Sequence, residues 1–237
     1  MLTLAVETSC LTASCAIVQD NRVIAEISTN HGKTHSQKIM PMINTTLSAV
    51  GKELNDVDLF AASIGPGSFT GIRIGVVTIK ALAYSLKRPV CGVSTLDALA
   101  FTMPDFNGVI SPMLDARNNQ VYSAFYRKTD NALERLYEES GIKIEDWIEQ
   151  AQTFGEGILV LGDAFELHYD RLKSELGSLL NNSPQSNIFP RASATALLAE
   201  KSYRDNRSIS PFELKPLYVR KSQAERMKDK PKSDDKK

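Results

Sequence analysis

The sequence predicts an α/β fold, and three observations carry that expectation. Short apolar strand-like runs alternate with longer runs of helical period, in the order βββαβαβα over roughly the first hundred residues. A break around Met103-Pro104-Asp105-Phe106-Asn107-Gly108 is followed by a second αβ unit. The composition is that of a packed chain: 237 residues, 42% hydrophobic and 24% charged, which excludes wholesale disorder.

Leu2 to Val6 is an apolar strand, and Thr12 to Val18 resumes β-type composition. The turn at Asp20-Asn21 leads into Val23 to Ile27, so the chain opens as a three-stranded antiparallel meander. Thr34-His35-Ser36-Gln37 has capping-box form. Ile39, Met42, Ile43, Thr46, Leu47 and Val50 then keep helical spacing to Gly51, with a kink expected at Pro41. Val57 to Ile64 is the next strand. Gly65-Pro66-Gly67-Ser68 turns into a long helix, Phe69 to Leu86. Pro89 to Val93 is again a strand, and Ser94 can cap a helix from Thr95 to Thr102. In the second unit strands are expected at 109–114, 121–126, 133–138 and 158–161, and helices at 144–153, 165–176 and 193–203. The segment 179–187 reads as loop. The last residues, KSQAERMKDKPKSDDKK, hold almost no large apolar group and read as a mobile tail.

Several function classes are excluded or weakened. With Lys+Arg 28 against Asp+Glu 28, the formal charge is zero, which argues against a protein that grips nucleic acid alone. Cys10, Cys15 and Cys91 have neither disulfide-framework nor zinc-finger spacing. The N-terminal run meets Glu7 without a basic region, so no signal peptide is read there. The most apolar stretch carries Arg73 and Lys80 and is too short to span a bilayer; a cytoplasmic protein is expected. His31 and His35 are spaced H-x-x-x-H, but no third ligand completes a metal site.

Two features carry candidate chemistry. The strand-to-helix turn offers Gly65, Gly67, Ser68 and Thr70 as anion or nucleotide contacts, although it lacks the Lys-Ser/Thr pair of a Walker A loop. Equally, its glycines can simply permit a tight turn. The following helix is apolar nearly all round and holds Gly71 and Gly75, so it is either a central core helix or a subunit interface. Glu7, Asp115 and Asp163 end or follow strands, where open α/β sheets place ligands.

Taken in order, several short pieces resemble the TsaB (YeaZ) family over about residues 1–224. They are Leu4-Ala5-Val6-Glu7-Thr8-Ser9, the run GPGSFTGIRIG from Gly65 to Gly75, Asp115-Ala116-Arg117 with Val121-Tyr122, Pro190-Arg191-Ala192, and Pro216-Leu217-Tyr218-Val219-Arg220. The resemblance implies an actin/Hsp70-like (ASKHA, ribonuclease H-like) fold of two related αβ domains. An N-terminal domain at 1–103 carrying dimerisation helices, a smaller one at 104–222 and a tail at 223–237 are expected. It also implies a non-catalytic, dimerising partner of the paralogue TsaD, which transfers threonylcarbamoyl to the tRNA adenosine next to the anticodon.

On this resemblance the chain is a homodimer when alone and works with TsaD and TsaE. It meets tRNA only through the complex and does not act at a membrane. It binds no cofactor alone; ATP and a metal ion belong to the partner subunits. The paralogue's N-H-x-E-G-H metal motif is matched here by Ser94-Thr95-Leu96-Asp97-Ala98-Leu99, and Glu7-Thr8-Ser9 replaces the Asp-x-Gly of ATP-binding members. Partner-binding residues are expected at Ile39, Ile43, Ser68, Gly71, Ile72, Gly75, Val76 and Ile79, while Glu7, Asp115 and Arg117 are signature residues without an assigned role. The rival readings are an ATP-dependent small-molecule kinase of the same superfold and a peptidase or peptidase-like chaperone.

Overall fold

A computed structural model describes residues 1–31, 34–104, 106–129, 132–182 and 189–219. The expected tail at 223–237, and Arg220, lie outside the described residues.

The described residues fold into two five-stranded sheets built to one plan. In the first, β1 (Leu2–Glu7), β2 (Ala13–Gln19) and β3 (Arg22–Thr29) form the antiparallel meander. β4 (Leu59–Gly65) and β5 (Val90–Ser94) then add parallel to β1, giving the order β3-β2-β1-β4-β5. In the second, β6 (Val109–Asp115), β7 (Gln120–Thr129) and β8 (Ala132–Lys143) are antiparallel. β9 (Ile158–Leu161) and β10 (Leu180–Asn182) continue parallel, in the order β8-β7-β6-β9-β10. The stretch read as loop at 179–187 therefore contributes the fifth strand. Its polar Asn181 and Asn182 hid a segment whose strand character comes from pairing with β9 rather than from composition.

Helices cover these sheets because their strands are apolar on both faces. α1 (His35–Ala49) and α2 (Phe69–Ser85) lie on one face of the first sheet. There Ile39, Ile43, Ile72 and Ile79 pack among Leu4, Val6, Ile17 and Phe60. α3 (Thr95–Phe101) and α6 (Ala192–Arg204) cover the other face. α3 also seals one face of the second sheet, whose opposite face carries α4 (Ile144–Thr153) and α5 (Phe165–Leu176). No helix among the described residues is long and apolar enough to cross a membrane.

Two local expectations change. α1 runs unbroken through Pro41. Its N-cap Thr34 makes no side-chain cap bond: the Thr34 hydroxyl turns to Ser36 Oγ at 3.1 Å, and only its carbonyl accepts from the Gln37 amide. Ser94 does cap α3, accepting from the amides of Leu96 and Asp97.

α6 falls within the expected 104–222 unit, yet it packs on the first sheet. Its small side chains, Ala192, Ala196 and Ala199, sit flush against Ala5, Ala16 and Ala61, an alanine-to-alanine fit that only close approach allows. Polar groups fix its position. The Ser14 hydroxyl accepts from the Ala192 amide at 2.9 Å, and the Glu26 carboxylate accepts from both the amide and hydroxyl of Ser193. Glu200, 1% exposed, accepts from Thr3 Oγ1 at 3.0 Å and from the Asn21 amide at 2.8 Å. Glu200→Ala leaves one buried and one part-buried donor unpaired, and we expect it to cost about 2 kcal/mol. A urea midpoint lowered at unchanged slope would show this; an unchanged midpoint would mean that water replaces the carboxylate without loss.

Candidate functional site: the cleft between the sheets

The carboxyl ends of β1, β4, β6 and β9 converge on a cleft of about 520 Å3 between the two sheets. One wall is the turn after β1 (Ser9, Cys10), the turn after β4 (Gly67, Ser68) and the start of α1 (His35). The other is Asp115, Arg117, Tyr122 and Asp163. Leu217, Tyr218 and Val219 close one side.

On the first wall the two turns are joined to each other. The Ser68 amide donates to the Ser9 carbonyl at 2.6 Å, and Gly67, at φ +150°, lies so close that a Cβ there would overlap the same oxygen. The Ser68 hydroxyl accepts from the Gly71 amide as the cap of α2. His35 Nε2–H donates to the Cys10 carbonyl at 2.8 Å; burial lowers the ring's pKa, consistent with a neutral imidazole. Of the four residues considered for anion contact, the cleft therefore receives Gly67 and Ser68, with the Ser68 amide already used. Gly65 instead faces the Leu217 carbonyl, which a Cβ there would meet at 2.8 Å, and Thr70 points to solvent. The Ser68 and Gly71 amides of this turn are thus turned to a protein carbonyl and hydroxyl and are not offered to an anion.

Glu7 lies fully buried beneath this wall. One carboxylate oxygen accepts from the Ser9 amide at 2.7 Å and the other has no partner among the described residues. Burial raises its pKa above the ordinary 4.5, and bonds from Ser9 only partly oppose that. A carboxyl raised on folding contributes stability that is present below its unfolded pKa and lost as pH rises through the folded value. Glu7→Gln keeps the acceptor and removes the charge. The variant is expected to gain on wild type as pH rises from about 4 to 8. Denaturant midpoints across that range test this, and a gap that does not grow with pH would refute it.

On the second wall, Arg117, Asn118 and Asn119 take positive φ values of 64°, 55° and 56° to turn β6 into β7. Asp115 Oδ1 accepts from the Arg117 amide at 2.7 Å, and the Arg117 side chain returns to Asp115 at 3.5 Å while remaining 83% exposed. The Asp115 amide donates to Asp163 at 3.0 Å; burial, and to a lesser extent the neighbouring Asp115 charge, raise the Asp163 pKa. Asp115 and Arg117 thus brace a turn at the cleft edge.

Thr95 and Leu99, which the resemblance sets against the paralogue's metal motif, are both placed by the structure. Thr95 is buried and its hydroxyl is 2.7 Å from Ser63 Oγ; Leu99 is fully buried between the sheets. Among the described residues no group of three His, Cys, Asp or Glu side chains is arranged to hold a metal. Burial pushes the Cys15 thiol up to about 12 and Cys91 to about 11, and Cys10 well above its ordinary value, so none is a thiolate nucleophile at neutral pH.

The expected partner surface needs correction. Ile39, Ile43, Gly71, Ile72, Gly75, Val76 and Ile79 are all buried within this chain, and only Ser68 of that set is exposed. The glycines of α2 admit the β1–β2 turn: a Cβ at Gly71 would overlap the Thr8 carbonyl and one at Gly75 the Thr8 hydroxyl, which itself donates to the Gly71 carbonyl at 2.8 Å. The face of α2 left outside is Thr70, Arg73, Val77, Ala81 and Tyr84, with Val77 63% exposed. Met40, Pro41 and Asn44 are exposed on neighbouring α1. The spacing of Thr70, Arg73, Val77, Ala81 and Tyr84 was readable as one helix face, marked as outer by its polar members.

A C-terminal strap along α2 also escaped sequence reasoning. The Leu217 amide donates to the Ile64 carbonyl at 2.7 Å, Tyr218 stacks on Phe69 at 4.7 Å, and Arg73 lies over Phe69 while its Nε donates to Tyr218 Oη at 2.7 Å. Lys80 donates to the Leu214 carbonyl at 3.1 Å. Arg73 and Lys80 are thereby engaged by the chain itself. The aromatics Phe212 and Tyr218, set among Ile209, Leu214 and Leu217 just before the polar tail, were the available signal.

Comparison with known proteins bears on this geometry. The family model described as "TsaD: tRNA N6-adenosine threonylcarbamoyltransferase" matches residues 22–226. The chain is 34% identical over 227 residues to the Bacillus subtilis (strain 168) "tRNA threonylcarbamoyladenosine biosynthesis protein TsaB", covering 95% of this chain and 96% of that protein. Among solved structures, it is similar to a Pseudomonas aeruginosa protein described as having similarity to peptidase YEAZ. That likeness has a TM-score of 0.77 at 24% identity, over 92% of this chain and 99% of the other. The ROK hexokinase of Thermus thermophilus aligns with a TM-score of 0.51 at 9% identity, over 86% of this chain and 100% of that one. With two sheets of repeated order, these likenesses bear out the actin/Hsp70-like class.

Proposed function

The chain belongs to the TsaB (YeaZ) family, with a role in tRNA threonylcarbamoyladenosine biosynthesis, and from that premise we propose that the role is non-catalytic: a scaffold on which TsaD performs the transfer. The observation that carries this reading is the joining of the two turns in the first wall of the cleft. The Ser9 carbonyl occupies the Ser68 amide at 2.6 Å where a nucleotide's phosphates would need it. Thr95 and Leu99, standing where the paralogue has metal-binding histidines, support the same reading. ATP and a metal ion then belong to the partner subunits, TsaE among them, and tRNA is met through the complex.

The partner surface in this reading is the exposed face of α2 with the adjoining face of α1. Val77, Ala81 and Met40 give it an apolar centre, and Thr70, Ser36 and Asn44 a polar rim. The same face serves a second copy when the chain is alone.

The test is threonylcarbamoyl transfer to unmodified tRNA by TsaD, TsaE and the adenylate-forming enzyme, with and without this chain, and by this chain without TsaD. Product only when both proteins are present is the expected result. Equal product without this chain would end the scaffold reading, and product without TsaD would end the non-catalytic one.

A further inference from the structure

The cleft between the sheets has two features that its own hydrogen bonds leave unmet. The first is charge. Asp115 and Asp163 face the cleft with one guanidinium, that of Arg117, which lies 3.5 Å from Asp115 and is 83% exposed. Asp163 makes no ion pair among the described residues; its Oδ1 accepts from the Asp115 amide. His35 adds no compensating charge, since burial lowers its pKa. The second is apolar exposure. Leu11, in the turn after β1, and Leu167, on α5, line the cleft from opposite sides and are 72% and 66% exposed.

The chain carries a complement to both features at the cleft itself. Val219, where the C-terminal strap ends, is one of the cleft's lining residues. The 18 residues that follow it in the sequence, Arg220 to Lys237, hold eight Lys and Arg against four Asp and Glu, whereas residues 1–219 hold 20 against 24. Arg220 and Lys221 stand one and two residues beyond Val219, within about 7 Å of chain. Met227 is the one large apolar side chain of the segment. The eight residues from Val219 to Met227 span up to about 28 Å, more than a cleft of about 520 Å3 requires.

We propose that the segment Arg220–Lys237 docks back into the cleft of its own chain, with Arg220 and Lys221 against Asp163 and Met227 over Leu11 and Leu167. Attachment at Val219 makes the encounter intramolecular, at an effective concentration on the order of millimolar, so a few weak contacts suffice. The composition that keeps the segment from packing by itself is the composition that an acidic cleft selects. An anion is the poorer occupant, because the Ser68 and Gly71 amides are turned to protein groups and Asp163 is uncompensated. With the segment in place the cleft is closed to other ligands until it leaves. The proposal does not rest on the scaffold reading: it concerns the isolated chain and leaves Val77 and Met40 exposed.

The experiment is nuclear magnetic resonance of the full chain, reading backbone order along 220–228 and the signals of Leu11, Asp163 and Leu167. Restricted motion is expected through Met227. Arg220→Ser with Lys221→Ser should release the segment and move the signals of both leucines. Asp163→Asn keeps the acceptor for the Asp115 amide and removes the charge; it should lower the docking constant about threefold, as the loss of one partly exposed ion pair does. Added to the double serine variant, Asp163→Asn should change nothing further, because its partners are already gone. Tenfold dilution should leave all signals in place. Free motion throughout 220–228, or leucine signals indifferent to the serine substitutions, would overturn the proposal. Signals that change on dilution would overturn it as well, by assigning the cleft to the segment of a second copy.

Discussion

Replacing Gly71 by alanine is expected to destabilise the isolated chain by roughly 3 kcal/mol, the upper range for forcing an added carbon into a packed site. The new methyl group would enter the Thr8 carbonyl, and backbone cannot rotate away as a flexible side-chain end could. α2 and the β1–β2 turn would have to separate, breaking the Thr8 hydroxyl bond to the Gly71 carbonyl and opening the core around Ile72 and Val76. For a chain of this length that corresponds to a fall in Tm of about 6–12 °C. Thermal unfolding followed at the single, buried Trp147 measures it. An unchanged Tm would mean that the helix has room to move away, and that the glycines serve something other than this contact.

Val77→Asp should behave oppositely. Val77 is 63% exposed, so the substitution should leave stability within about 0.5 kcal/mol. If the outer face of α2 is where TsaD docks, an aspartate at its apolar centre buries an unpaired charge in the interface. An effect of at least 2 kcal/mol is then expected, or about 30-fold in affinity. Sedimentation of the mixture and transfer to tRNA should both fall while the melting curve stays in place. Association unaffected by Val77→Asp would remove this face from consideration and turn attention to the strap with Phe212 and Tyr84, which meet edge-on at 5.0 Å. Together the two substitutions separate residues that build α2 into its own sheet from residues that it offers to others.

Much of the fold was legible because its cause is local. Alternating apolar runs mark β1 to β9, the Ser94 hydroxyl caps α3 as its position implies, and Gly51 ends α1 at φ +64°. β10 was not legible: Leu180–Asn182 has little strand propensity and becomes a strand by lying beside β9. Nor was the return of α6 to the first sheet, which depends on Ser14, Glu26, Thr3 and Asn21, all more than 160 residues away along the chain.

The candidate site divides in the same way. The family resemblance, carried over residue by residue, singled out Ser9 where ATP-binding members have glycine and Thr95 and Leu99 where the paralogue has histidines, because those are statements about side-chain chemistry. Composition also showed that α2 is apolar nearly all round. Which of its faces is turned outward, and whether Gly71 and Gly75 receive a partner or the chain's own turn, was decided by the tertiary structure. A small residue records only that something comes close; what comes close is fixed by contacts distant in sequence, here between Thr8 and Gly71.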